Sequence, residues 1–189
     1  MTGIRGFVVD WEASRSERGT LAALDGGLRW SVERRVGRAP LGLGGAGLSG
    51  ATFVCRDLCG ALALRVELDP AWLRPVRGRA LDGAGAVLAR LGVARGLRGG
   101  LRVEGAAGWV EVRAPWRGLA FPAGSRPPCA LELAGGARGA IEAVTVGGRR
   151  AVRSWVPAAA AEALTALVLI ATLAADTLYL APSRGPLGG

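Results

Sequence analysis

The amino-acid sequence predicts a mainly β protein: a closed antiparallel β-barrel of roughly twelve strands around a buried hydrophobic C-terminal α-helix. Two observations carry this expectation. Short segments of alternating apolar and polar residues recur at even spacing between Gly-, Asp- and Pro-rich turns, the pattern of half-buried strands in a barrel or sandwich. After them comes an almost wholly apolar run, Val156 to Leu180, whose only charges are Glu162 and Asp176. The thirteen uncharged residues Ala163 to Ala175 fall short of the about 20 that a spanning helix needs, and suit a helix enclosed by protein.

Residues 1–19 are polar and irregular, with Arg15, Glu17 and Arg18 close together, and are expected to form a leader outside the core. A single barrel domain is expected over 20–181. Leu28, Trp30 and Val32 alternate with Arg29, Ser31 and Glu33 directly after Asp25-Gly26-Gly27, which is turn chemistry feeding a strand. Leu62, Leu64, Val66 and Leu68 alternate with Ala63, Arg65 and Glu67, and Asp69-Pro70 ends that strand. Ala80-Leu81-Asp82-Gly83 opens a turn ahead of Val87 to Leu91. Leu101 to Glu104 and Trp109 to Arg113 flank another at Gly105 to Gly108. Pro115, Pro122, Pro127 and Pro128 mark a long connection. Leu131 and Leu133 follow, and Ile141 to Val146, Gly147-Gly148 and Ala151 to Val156 form a last hairpin. Ala-Leu-Asp-Gly stands at Ala23 and again at Ala80, a hint of a duplicated half.

The terminal helix is predicted over 157–180. Pro157 suits a first helical turn, and Glu162 lies near the positive end of the helix dipole. Leu164, Leu167, Val168, Leu169, Ile170 and Leu173 fall on all sides, so the helix requires apolar partners all round. A ring of about a dozen strands has a lumen its own side chains cannot fill, and such a helix fills it. Residues 182–189 are expected to be a disordered tail.

Composition narrows the chemistry. The chain lacks His, Lys, Asn and Gln, so all 24 basic residues are Arg, against 15 acids. The four missing types share codons beginning AA or CA, which points to a GC-rich genome as a source of the arginine excess. Without His there is no Ser-His-Asp or Cys-His relay and no imidazole metal ligand. Without Lys there is no Walker lysine and no Schiff-base nucleophile. Only Asp, Glu, Cys and Tyr179 remain for general acid/base work, so the default is a protein that is not an enzyme, with no cofactor and no metal. Cys55, Cys59 and Cys129 have neither disulfide-framework nor zinc spacing and read as structural thiols. Met1 to Asp10 lacks the apolar region and cleavage site of a signal peptide, so the expected location is the cytoplasm, peripheral to the membrane where lipid is bound.

The segment Leu164-Thr165-Ala166-Leu167-Val168-Leu169-Ile170-Ala171-Thr172-Leu173-Ala174-Ala175-Asp176-Thr177-Leu178-Tyr179 is an aliphatic run ending in an acid and then apolar or aromatic positions. With the Leu-Asp-Gly hairpins and the total length, it resembles the tubby C-terminal-like superfamily, in its phospholipid-scramblase-like and LURP-one-related branch. That resemblance covers about 20–181 and implies a roughly twelve-stranded barrel closed on a hydrophobic helix, and association with lipid or a membrane surface. Two departures matter. The cysteine-rich palmitoylated stretch and acidic calcium loop of scramblases have no counterpart here, and there is no Lys to match the phosphoinositide ligands of tubby domains.

The candidate lipid-phosphate ligands are the densest basic groups: Arg74, Arg77 and Arg79 after Trp72, and Arg149, Arg150 and Arg153 before Trp155. Guanidinium forks suit phosphate, and the tryptophans suit the head-group level; solvated strand faces are the plainer account. Nucleic acid is an unlikely partner, since no groove-reading motif accompanies the charge, and any partner protein is unspecified. Asp176 reads as a helix-end acid with backbone or Arg partners at the barrel rim. Two alternatives remain. Gly42 to Gly50 contains G-x-G-x-x-G twice, which would make the chain a flavin- or nicotinamide-linked oxidoreductase if a buried strand ran into it; Arg34-Arg35 and Pro40 stand there instead. The other alternative is a tail-anchored membrane protein using the apolar run.

Overall fold

The computed structural model describes residues 4–12, 17–37, 50–70, 76–94, 100–114, 127–161 and 163–180. The expected tail over 182–189 lies outside them. Twelve strands form one closed antiparallel barrel. In chain order they are β1 (Ile4–Trp11), β2 (Arg18–Ala23), β3 (Arg29–Val36), β4 (Ala51–Arg56), β5 (Leu62–Leu68), β6 (Gly78–Asp82), β7 (Val87–Val93), β8 (Leu101–Gly105), β9 (Gly108–Arg113), β10 (Cys129–Leu133), β11 (Arg138–Val146) and β12 (Arg149–Pro157). Each pairs with its neighbours in sequence, and β1 pairs with β12 to close the ring, with Phe7 opposite Ser154. Closure leaves no unpaired edge.

Period-2 alternation sorts each strand into an inner and an outer row. Leu64, Val66 and Leu68 of β5 are buried while Arg65 is exposed, as the sequence pattern implies. Charged residues pair across the outer face: Arg79 with Glu67 at 2.6 Å, Arg153 with Glu142 at 2.6 Å and Arg113 with Glu132 at 3.0 Å. This is the reverse of a lipid-facing barrel, whose outer band is apolar.

Ile4–Trp11 corrects the expected leader over 1–19. It is a full strand, with Phe7, Val9 and Trp11 buried in the core. Its alternation is blurred in sequence because the outward residue Val8 is apolar and the inward residue Arg5 is charged.

The two ends of the barrel differ. At one end lie five tight connections, and at two of them the same device recurs. Asp57 Oδ1 accepts from the Cys59 and Ala61 N–H groups, and Asp82 Oδ1 accepts from those of Ala84 and Ala86. Gly60 and Gly85 supply the positive φ angles, 82° and 87°, that these turns require. Connections 12–17, 37–50, 69–77, 94–100 and 114–128 all depart from strand ends at the opposite rim, beside the tight β11–β12 turn.

The helix is not continuous over 157–180 as expected. Pro157 is the last residue of β12, paired with Ile4, and α1 is a single turn, Ala158–Ala161. The chain then turns at Ala163-Leu164 and enters the lumen as α2 (Thr165–Ala175), followed by a π-helical turn, Asp176–Leu180. The break has a geometric cause. Strand β12 climbs to the tight-turn end and the helix must descend through the ring, so the chain has to reverse.

All nine residues from Leu167 to Ala175 are buried. The helix packs against β1 and β12 on one side, β5 on another and β8 and β9 on a third, so it lies inside the ring. Thr172 donates its hydroxyl to the Val168 carbonyl at 2.7 Å, one turn back, which satisfies it within an apolar lumen. The small residue Gly105 admits the helix: a Cβ there would stand 3.0 Å from Leu167 Cδ2.

Leu173, fully buried on this helix, sets a test of the plug. Leu173→Ala is expected to lower unfolding free energy by about 2–5 kcal/mol, read as a lower urea midpoint with an unchanged m-value.

Candidate functional site

Three inner rows converge where the helix ends. Continuing the inward parity of Trp30 and Val32 along β3 places Arg34 inside the barrel, and the inner row of β12 begins at Arg150. Asp176, with no exposed surface, accepts hydrogen bonds from Arg34 Nη1 at 3.2 Å and from Arg150 Nη2. The Arg34 guanidinium also lies over the Trp11 ring, 4.5 Å from its centroid. The ring order β12, β1, β2, β3 thus presents Arg150, Trp11 and Arg34 on nearly adjacent strands. Gly19 stands opposite Trp11, where a Cβ would lie 3.0 Å from the indole.

Among the described residues the cluster brings two guanidinium groups to one carboxylate in low dielectric, and the indole face adds a cation–π contact to Arg34. Among the described residues, Arg150 Nη1, Trp11 Nε1 and Thr177 Oγ1 are buried with no hydrogen-bond partner. The arrangement fastens the helix end to the wall.

The predicted phosphate ligands do not share a wall. Arg77 is exposed just before β6, and Arg79 faces outward with its Nε on Glu67. Arg149 is exposed at the β11–β12 turn, Arg150 is committed to Asp176, and Arg153 is paired with Glu142 on the outer face. Strands β6 and β12 lie six places apart in the twelve-membered ring, on opposite walls, although both groups sit toward the same end. Arg74, Trp72, Glu162 and residues 42–49 lie outside the described residues. Gly50, at φ 74°, leads into strand β4 and not into a helix, so the helix N-terminus that a dinucleotide fingerprint needs does not follow it. The predicted helix residues Leu164, Leu167, Val168, Ile170 and Leu173 are all in the core, with Asp176 buried beneath them.

At the tight-turn end a cavity of about 230 Å³ opens between the first turn of α2 and the wall. Phe7, Ala23, Leu28, Val156 and Val168 give it apolar sides, and Arg5 and Asp25 stand at its rim. No helix among the described residues is long and apolar enough to cross a membrane, and no three metal-ligating side chains come together among them.

With this geometry, no protein-family model, curated protein or solved structure matches the chain.

Sequence reasoning missed Arg34, Trp11 and Arg5. Strand parity was the available signal, since Arg34 follows Trp30 and Val32 by twos and Arg5 precedes Phe7, Val9 and Trp11 by twos.

Two measurements follow from this chemistry. Asp176→Asn removes the buried carboxylate charge that Arg34 and Arg150 share and is expected to cost about 3 kcal/mol in urea unfolding, whereas replacing the set by Arg34→Met, Arg150→Met and Asp176→Leu together restores most of it. Burial pushes the Cys55 and Cys129 thiols up to about 12, while Cys59 is exposed. A thiol reagent at pH 8 should therefore label Cys59 alone in the folded protein and all three after unfolding. Below pH 9 the thiols are protonated in both states. From pH 9 toward 12 only the unfolded chain ionises Cys55 and Cys129, so stability falls as pH rises through that window.

Proposed function

We propose that the protein is a non-enzymatic, lipid-associated module of the scramblase-like or LURP-one-related type, within the tubby-like superfamily, which attaches to anionic phospholipid head groups by one end of its barrel. One observation carries the reading: the connections that join strand ends at one end of the barrel are rich in arginine in the sequence. Connections 12–17, 37–50, 69–77, 94–100 and 114–128 contain eight arginines against three acids, while the five tight turns at the other end contain no arginine. Among the described residues of that end Arg77 and Arg149 are exposed, as are Glu12, Glu17 and Asp69; the other seven arginines of these connections lie outside the described residues. A net positive face favours an anionic leaflet by about 1 kcal/mol per arginine near the surface, over a Debye length of about 8–10 Å at ordinary salt. The closed barrel around a C-terminal helix is in keeping with the same resemblance.

Within this reading the mid-wall arginines play no part in attachment. Arg79, Arg150 and Arg153 already have carboxylate partners. Attachment is by the end face, so it needs no apolar insertion, and it is electrostatic in character.

Co-sedimentation with phosphatidylserine-containing and pure phosphatidylcholine vesicles, titrated with salt, tests this. Binding is expected only to the anionic vesicles and is expected to weaken steadily as salt rises. Replacing Arg77 and Arg149 by Gln is expected to weaken it about 5-fold each. Equal binding to neutral vesicles, or binding indifferent to salt, would overturn the proposal.

A further inference from the structure

The geometry points to a second site, at the opposite end of the barrel: the cavity beside α2 binds a single-chain anionic amphiphile, an alkyl carboxylate whose head meets Arg5 and whose tail lies between the helix and the wall. The site stands independently of the basic end, since it shares no residue with it.

The row Phe7, Val9 and Trp11 faces the lumen, and Arg5 is the next member of that row toward the mouth, opposite the inward residue Val156. Its guanidinium is therefore carried on the inner side of the rim, where a hydrophobic position would be expected. Among the described residues no acid forms an ion pair with it. Asp25 reaches the same rim, because the Leu24 N–H bonds to the Gly6 carbonyl at 2.9 Å, and its Oδ1 accepts from the Gly27 N–H at 3.0 Å, which turns that carboxylate toward its own turn. Of the two charges at this mouth, Arg5 is the one carried on the inward row above the apolar lining.

Below it the apolar lining is Phe7, Ala23, Leu28, Val156 and Val168, beside Thr165 of the first helical turn. At about 230 Å³ the cavity is half again the size of one that admits benzene, which on the same scale accommodates roughly eight or nine carbons. An apolar chamber under one free guanidinium selects a ligand with both an alkyl chain and an anionic head. A bare anion gains nothing from the chamber, and a neutral chain gains nothing from Arg5. Ile4 and Leu24, 62% and 42% exposed, flank the mouth, so the acyl chain could be delivered free in solution or from a lipid assembly.

Calorimetric titration with butanoate, hexanoate and octanoate, with octanol and octylamine as controls, reads the site. Binding is expected to tighten about 4-fold per added methylene up to octanoate, from roughly 0.8 kcal/mol per CH₂. Octanoate is expected to bind better than octanol, and octylamine worse. Arg5→Gln should weaken octanoate about tenfold and leave octanol unchanged, which separates loss of the head contact from loss of the fold. Ala23→Leu, which fills the chamber from β2, should abolish both. Absence of chain-length dependence, or octanoate binding unaltered in Arg5→Gln, overturns the site. Transfer of a labelled fatty acid to the protein from neutral vesicles, which do not engage the basic end, distinguishes the sources: transfer faster than spontaneous release assigns delivery to a lipid assembly, and transfer at the spontaneous rate assigns it to the free acid, while transfer undiminished in Arg5→Gln overturns the site. Vesicle binding that fails for lack of the basic end leaves the octanoate titration unaffected.

Discussion

A ring of twelve strands and a helix without a polar face each create a problem that only the other solves. The ring is too wide to be filled by its own inner rows, many of which are Val, Ala and Leu, and empty space at that scale forfeits dispersion contacts on every side. The helix buries Leu167 to Ala175 without interruption and has no face it could turn to water. Threading one through the other removes both costs, and it fixes nearly everything else about the molecule. Polar chemistry is driven off the axis and onto the outer wall or the two rims. Asp176 and Thr172 bring polar groups into the interior along the helix, and each is bonded there.

The rims then diverge because the chain meanders. Antiparallel neighbours joined in sequence place every odd connection at one end and every even connection at the other. Hairpins of the tight kind can be closed by an aspartate and a glycine, and five tight connections lie at one rim; the strand ends that the longer connections join lie at the other, with the β11–β12 turn. The buried ion cluster lies beneath the second rim and the apolar chamber beneath the first. The difference between the two rims follows from strand parity and turn length.

Much of this architecture was legible in the chain. The alternation at Leu62 to Leu68 states both the strand and its inner face, and the apolar encirclement of the terminal run implies a closed surround. What escaped notice did so where a single residue contradicts its row. Arg5 and Arg34 are charges in inward positions and Val8 is an apolar residue in an outward one, so β1 reads as irregular and Arg34 reads only as charge ahead of the glycine run. Both are decided by partners distant in sequence: Asp176 for Arg34, and the chamber for Arg5. The turn at Ala163-Leu164 was equally invisible, because it follows from the direction in which β12 travels and not from any helix-breaking residue. The two predicted arginine groups show the same limit, since their separation around the ring is a property of the closed sheet alone.

The seam between β1 and β12 joins the first and last strands of the barrel, and the helix follows the second of them. During synthesis Ile4–Trp11 is therefore an unmated edge until the last strand exists, and the lumen stays hollow until the residues after Pro157 arrive. The latest-made elements supply both the clasp and the filling. A product cut short of β12 is an open sheet with a greasy inner face, which makes this protein dependent on being finished in a way that a chain with its core in its first half is not.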